Sequence, residues 1–177
     1  MLRVTGGVLR GRVLPAPLPE GVRPTSSRTR EALFSIVGQD LEGLSFLDAF
    51  GGAGLIAIEA WSRGARPVTV FERALPALAA IRFNAAAVGV PLDLRAADAR
   101  TLQNPDGSAG FAADLVYLDP PFEDDIAEWI QRLVGCARDT LVAEARTGTS
   151  FPERAGALPL DRIRKYGESS LAIYRGG

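Results

Sequence analysis

The chain has 177 residues, 47% apolar and 23% charged, the make-up of one globular domain long enough to bury a full core. One cysteine, Cys136, and no histidine exclude a disulfide framework, a Cys/His zinc site and any mechanism with histidine as base. Net charge is only −1, but residues 1–30 carry six arginines (Arg3, Arg10, Arg12, Arg23, Arg28, Arg30) against Glu20 alone, and residues 154–175 carry Arg154, Arg162, Arg164, Lys165 and Arg175 against Asp161 and Glu168.

Two basic ends around an acidic body point to one positive face where the ends converge, and phosphate is the usual partner of such a face. Residues 2–14 read as a glycine-broken strand pair, with Gly6-Gly7 and Gly11 as the breaks. Pro15, Pro17 and Pro19 make an extended linker. A hydroxyl, Thr25 among the choices, then caps a helix running to about Val37 with Leu33 and Phe34 on its apolar side. Arg28 and Arg30 fall near its first turn, where the helix dipole disfavours cations and an anionic partner would offset the cost.

From Leu44 strand and helix signals alternate: strand 44–47, helix 55–62, strand 67–71, helix 74–88, strand 92–95, a turn at 97–102, strand 114–118, helix 124–136 and strand 140–145. Alternation of this kind predicts a parallel sheet with helices on both faces. Residues 158–166 and 169–174 flank Gly167-Glu168 and read as an antiparallel hairpin. The expected architecture is one α/β domain, a three-layer αβα Rossmann-like sandwich. Its seven-stranded, mostly parallel sheet is closed by the C-terminal hairpin. A β-rich extension with its linker (1–22) precedes the core (23–177). No apolar run approaches the roughly 20 residues of a membrane span, and no signal-peptide pattern opens the chain, so a cytoplasmic protein is expected.

Chemistry-bearing residues recur at strand ends, where open α/β sheets bind ligands. Asp48-Ala49-Phe50-Gly51-Gly52-Ala53-Gly54 joins the first core strand to its helix, and its glycines let backbone approach a ligand. Gly52-x-Gly54-x-x-Ala57 also satisfies the dinucleotide fingerprint, so a nicotinamide-binding module is an open alternative. Against it, Asp48 puts a carboxylate where a pyrophosphate would be repelled and an amino group welcomed. Glu72 closes the next strand and suits ribose hydroxyls; Asp98 follows the third and suits an adenine amine. Asp119-Pro120-Pro121-Phe122 ends the fourth, setting a carboxylate, a stiff carbonyl and a stacking ring at the strand break.

This order resembles the class I S-adenosylmethionine (SAM)-dependent methyltransferases that act on exocyclic amines. The blocks Arg3-Val4-Thr5-Gly6-Gly7, Arg10-Gly11-Arg12, Arg23-Pro24-Thr25…Arg28…Arg30-Glu31-Ala32-Leu33-Phe34 and Lys165-Tyr166-Gly167 are similar to the RsmD family of 16S rRNA guanine-N2 methyltransferases, nearly end to end. Gly51-Gly52-Ala53-Gly54 stands where the family more often has A-G-S-G. The resemblance implies that SAM, with S-adenosylhomocysteine as product, is bound by Asp48, Phe50, Gly51, Gly52, Gly54, Glu72, Arg73, Asp98, Ala99 and Asp119. It implies that Asp119, the Pro120 carbonyl and Phe122 hold the guanine amine. Arg3, Arg10, Arg12, Arg23, Arg28, Arg30, Arg164, Lys165 and Tyr166 would contact RNA, without a metal, on a monomer acting on 16S rRNA within a 30S particle. A DNA adenine or cytosine amino-methyltransferase would share the active-site motif but carry a target-recognition region that this chain lacks.

Overall fold

Glycine turns and short apolar runs make a small hairpin at the start of the chain. Strands β1 (Leu2–Arg3) and β2 (Val13–Leu14) pair antiparallel, as the glycine-broken pattern predicts. The computed structural model describes residues 2–16, 20 and 24–176. The Pro17 and Pro19 part of the expected linker, and Arg23, lie outside the described residues. The chain divides into two compact units, residues 1–98 and 99–177.

In the first unit, helix α1 (Ser27–Val37) is capped by Ser26, whose hydroxyl accepts from the Thr29 N–H at 3.1 Å. Strand β3 (Phe46–Asp48) leads through the glycine loop into α2 (Leu55–Ser62). Strand β4 (Val68–Glu72), helix α3 (Leu75–Val88) and strand β5 (Asp93–Ala96) follow. The three strands are parallel, with β4 between β3 and β5. Helix α3 ends at Gly89, whose φ of 70° is the left-handed conformation that stops a helix. The N-terminal hairpin belongs to this unit's core: Val4 and Leu14 pack with Leu55, Ile58, Val88 and Val90. Fully burying such side chains contributes about 1.5–3 kcal/mol each, which anchors strands too short to persist alone.

In the second unit, β6 (Ala113–Leu118) runs parallel to β7 (Ala137–Arg146). Between them lies α4 (Ile126–Leu133), whose buried Ile126, Trp129, Ile130 and Leu133 form one face. Asp125 caps it, accepting from the Ala127 N–H at 2.9 Å, so it starts two residues later than the apolar pattern predicts. A 3-10 turn at Val134–Cys136 ends it. Strand β8 (Arg154–Ala155) pairs antiparallel with β9 (Leu158–Tyr166), which pairs antiparallel with β10 (Ser169–Arg175) across the Gly167 turn. Strand β10 in turn pairs antiparallel with β7.

The fold class expected from sequence is observed: a mixed α/β fold with mostly parallel strands and antiparallel C-terminal strands. Beyond the seven expected strands, the two-residue β8 is an addition; it exists because β9 offers an open edge, not because Arg154 and Ala155 favour strand. No helix among the described residues is long and apolar enough to cross a membrane.

Candidate active site

The loop from Asp48 to Gly54 is bound to its own unit at close range. Gly51 donates to the Phe71 carbonyl at 2.9 Å, and Gly52 donates to Glu72 Oε2 at 3.0 Å. A Cβ at Gly51 would collide with Val70 Cγ1 and lie 2.8 Å from Ile81 Cδ1, so only glycine lets the loop lie on β4 and α3. Gly54, at φ 80°, opens α2 in a conformation L side chains rarely adopt. From α3 the buried Asn84 donates to the Ala53 carbonyl at 2.9 Å and accepts from the Ala16 N–H at 2.9 Å, tying loop to N-terminal segment. The loop backbone is thus fixed against β4 and α3.

Asp48 and Glu72 face this loop with different chemistry. Asp48 is 1% exposed, and its one described hydrogen bond comes from the Phe50 N–H at 3.2 Å. Burial, augmented by the nearby Glu72 charge and opposed by the Phe50 hydrogen bond, pushes its carboxyl up to about 7. Burial without a neighbouring cation favours the neutral form of the carboxyl, which is the direction of the shift. Glu72 Oε1 accepts from the N–H groups of Arg73 and Ala74, both at 2.8 Å, and Oε2 accepts from Gly52. Two lone pairs per oxygen leave Oε2 one acceptor position, enough for a hydroxyl donor.

The raised Asp48 carboxyl has a stability consequence with a definite sign. Below pH 4 both folded and unfolded states are protonated there. As pH rises from about 4 to about 7 the unfolded chain releases its proton first, so stability falls, by on the order of 4 kcal/mol. Above 7 the loss is complete. Asp48→Asn is therefore expected to raise the melting temperature of ligand-free protein at pH 8, and to leave it nearly unchanged at pH 4. Thermal unfolding across that range checks this; identical profiles for the two proteins contradict it.

Other candidates sit less simply. Arg73 and Asp98 bind each other, Nη1 to Oδ2 at 2.8 Å, at the ends of β4 and β5. Ala99 is buried at the head of the 3-10 turn Ala99–Leu102. In the second unit Asp119 is half-buried, Pro120 is buried and Phe122 is exposed just past β6. The guanidinium of Arg146, at the end of β7, lies 5.2 Å from the Phe122 ring centroid, within cation–π range.

Among the arginines, Arg3, Arg10, Arg12 and Arg28 are exposed in the first unit, and Arg164 and Lys165 are exposed on β9 beside half-buried Tyr166. Arg30 corrects the sequence reading. It is 2% exposed, and its guanidinium donates to Glu59 Oε1 at 3.1 Å, to the carbonyls of Thr25 and Arg3, and to Ser27 Oγ. The anion that offsets its unfavourable place on α1 is Glu59 of the same chain, and with four of its five N–H groups engaged and the side chain buried, Arg30 is not presented to phosphate. Glu59, wholly buried on α2, also pairs with Arg63 and accepts from Thr5 N–H and Oγ1. Arg63 in turn stacks 4.1 Å over the Phe34 ring. Sequence reasoning passed over Glu59 and Asn84; the signal was an acid and an amide inside otherwise apolar helices, which burial obliges to find partners.

The family described as conserved hypothetical protein 95 matches residues 2–175. Ribosomal RNA small subunit methyltransferase D of Escherichia coli (strain K12) is 34% identical over 98% of this chain and 89% of its own. A solved structure of the Escherichia coli protein yhhF matches with a TM-score of 0.82 at 27% identity, covering 98% of this chain and 97% of that one. The solved magnesium protoporphyrin IX methyltransferase of Synechocystis PCC 6803, with bound SAM, shares the fold at a TM-score of 0.64 and 16% identity, covering 85% of this chain and 79% of its own.

Proposed function

The chain belongs to the conserved hypothetical protein 95 family, the RsmD family, and from that premise we propose that it is a SAM-dependent rRNA methyltransferase that methylates the exocyclic N2 amine of a guanine in 16S rRNA. The observation that carries the amine-directed part is Asp119-Pro120-Pro121-Phe122 directly past β6, where a half-buried carboxylate and a buried proline stand beside an exposed ring.

The residues present fit SAM. The buried Asp48 carboxylate suits a methionine ammonium, and the remaining acceptor position of Glu72 Oε2 suits a ribose hydroxyl. Asp98, bound to Arg73 at the end of β5, is the carboxylate in this reading that would accept from an adenine amine. When bound, SAM supplies a methyl group on a positively charged sulfur, ready for in-line displacement.

The amine's lone pair is delocalised into the base, which makes it a weak nucleophile. Asp119 and the Pro120 carbonyl accept its two N–H bonds, favour a more pyramidal nitrogen and aim the lone pair. As the new N–C bond forms, positive charge grows on nitrogen and Asp119 stabilises it. The nitrogen then gives up one proton, to Asp119 or to solvent. Phe122 stacks on the base. A base buried in a helix cannot enter such a site, so the target is unpaired or flipped out, within a small-subunit particle.

Exposed Arg10, Arg12 and Arg28 hold flanking phosphates in this reading, and Arg30 serves them by fixing α1 to the N-terminal hairpin. Arg12→Ala with Arg28→Ala is expected to weaken RNA binding and to lower the slope of log affinity against log salt by roughly 0.7–0.9 per arginine. An unchanged slope rules out the phosphate role. The nicotinamide alternative is tested by thermal shift: SAM raises the melting temperature and NAD leaves it unmoved, and the reverse pattern overturns the proposed function.

A further inference from the structure

Strand β7 carries a carboxylate that the mechanism above does not use. Glu144 is 3% exposed, and its one hydrogen bond among the described residues comes from Tyr117 Oη, at 2.5 Å to Oε2. Tyr117 is itself 2% exposed. Tyr117 occupies Oε2, and the second oxygen of Glu144 is left for a donor from outside the strand pair.

Its place in the register makes that oxygen informative. Tyr117 lies opposite Val142 and Leu118 opposite Ala143. One step further on each strand come Asp119 and Glu144. Alternation puts Tyr117 and Glu144 on one face of the strand pair. Two residues past Glu144, Arg146 reaches the Phe122 ring. Glu144 is thus bracketed by the two ends of the proposed acceptor-base site, within the second unit alone.

We infer that Glu144, oriented by Tyr117, reads the N1–H of the target base and so selects guanine. This deepens the proposed function and rests on it. Three bases carry an exocyclic amine. In adenine and cytosine the ring nitrogen beside that amine, N1 or N3, is an acceptor, and a carboxylate facing it meets lone pair with lone pair. In guanine the N1 beside N2 bears a proton. Asp119 on the amine and Glu144 on the ring N–H together match guanine's edge and mismatch the others.

The test removes O6 and the N1 proton while keeping the amine. Small-subunit particles are reconstituted with guanine or 2-aminopurine at the position that wild-type protein methylates. 2-Aminopurine keeps the N2 amine but presents N1 as an acceptor. Wild type is expected to prefer guanine by at least about 100-fold in kcat/KM. Glu144→Gln keeps an oxygen for Tyr117 and offers an N–H₂ to N1. It is expected to lose about 30-fold on guanine and to bring the two bases within about threefold, with SAM binding unchanged. If Glu144→Gln does not fold, Tyr117→Phe removes only the orienting donor and is expected to cut the preference about fivefold. Guanine methylation with the preference intact in both variants overturns this inference alone. Methyl on adenine or cytosine from wild type overturns it together with the proposed function.

Discussion

Asp119→Ala is expected to lower methyl transfer by about 100- to 1,000-fold while SAM affinity stays within about threefold. In the proposed mechanism the carboxylate acts on the amine as charge develops, so its loss is expected to fall on the chemical step. Asp119 is half-buried past the end of β6, outside the strand itself, and circular dichroism of the variant checks that the fold is kept. Glu72→Ala is expected to behave oppositely. It removes the acceptor that holds Gly52, Arg73 and Ala74, and SAM affinity drops while any bound SAM still reacts. Single-turnover transfer at saturating SAM, paired with calorimetric SAM binding, separates the two. Loss of SAM binding with retained transfer in Asp119→Ala removes Asp119 from the acceptor role.

The second large effect concerns the fold. Glu59→Ala is expected to cost about 3–5 kcal/mol, because it strands two buried guanidiniums, Arg30 at 2% exposed and Arg63 at 4%. In a chain of this size that shifts the melting temperature by roughly 8–16 °C, and it is a large part of a total stability of about 5–15 kcal/mol. Glu59→Gln loses the charge and turns one acceptor oxygen into an N–H₂ that faces donors, and is expected to lose nearly as much. The damage reaches function indirectly, since Arg30 and Thr5 fix the N-terminal hairpin that presents Arg10 and Arg12. Urea unfolding measures it. A loss below 1 kcal/mol for Glu59→Ala means that the two arginines find water or other partners.

Much of this was legible before any coordinates. Helix α2 begins and ends where the apolar run and its glycines predict, and α3 differs by one residue. Those signals are local: Gly54 and Gly89 take φ values that punctuate a helix wherever it lies. Strand β7 runs from Ala137 to Arg146, not 140–145, because Ala113 pairs with Ala137 and Arg146 with Ser169; cross-strand pairing extends a strand past its own propensity. Arg30 was misread for the same reason. Its partner is 29 residues away on another helix, and no periodicity links them. Arg73 and Asp98 were each legible as strand-end residues, but not as partners of one another. Glu144 sat inside an apolar strand, Leu141-Val142-Ala143-Glu144-Ala145, and only the register with β6 brings it level with the residue after Leu118.

In the proposed reaction a methyl group passes from SAM to the N2 of a guanine in small-subunit rRNA. Small-subunit particles from cells lacking the enzyme, incubated with the protein and methyl-labelled SAM and then digested to nucleosides, name the base and the atom together. Label is expected in N2-methylguanosine from one position. Label in N6-methyladenosine or N4-methylcytosine, or no label from protein that is folded and binds SAM, would contradict it.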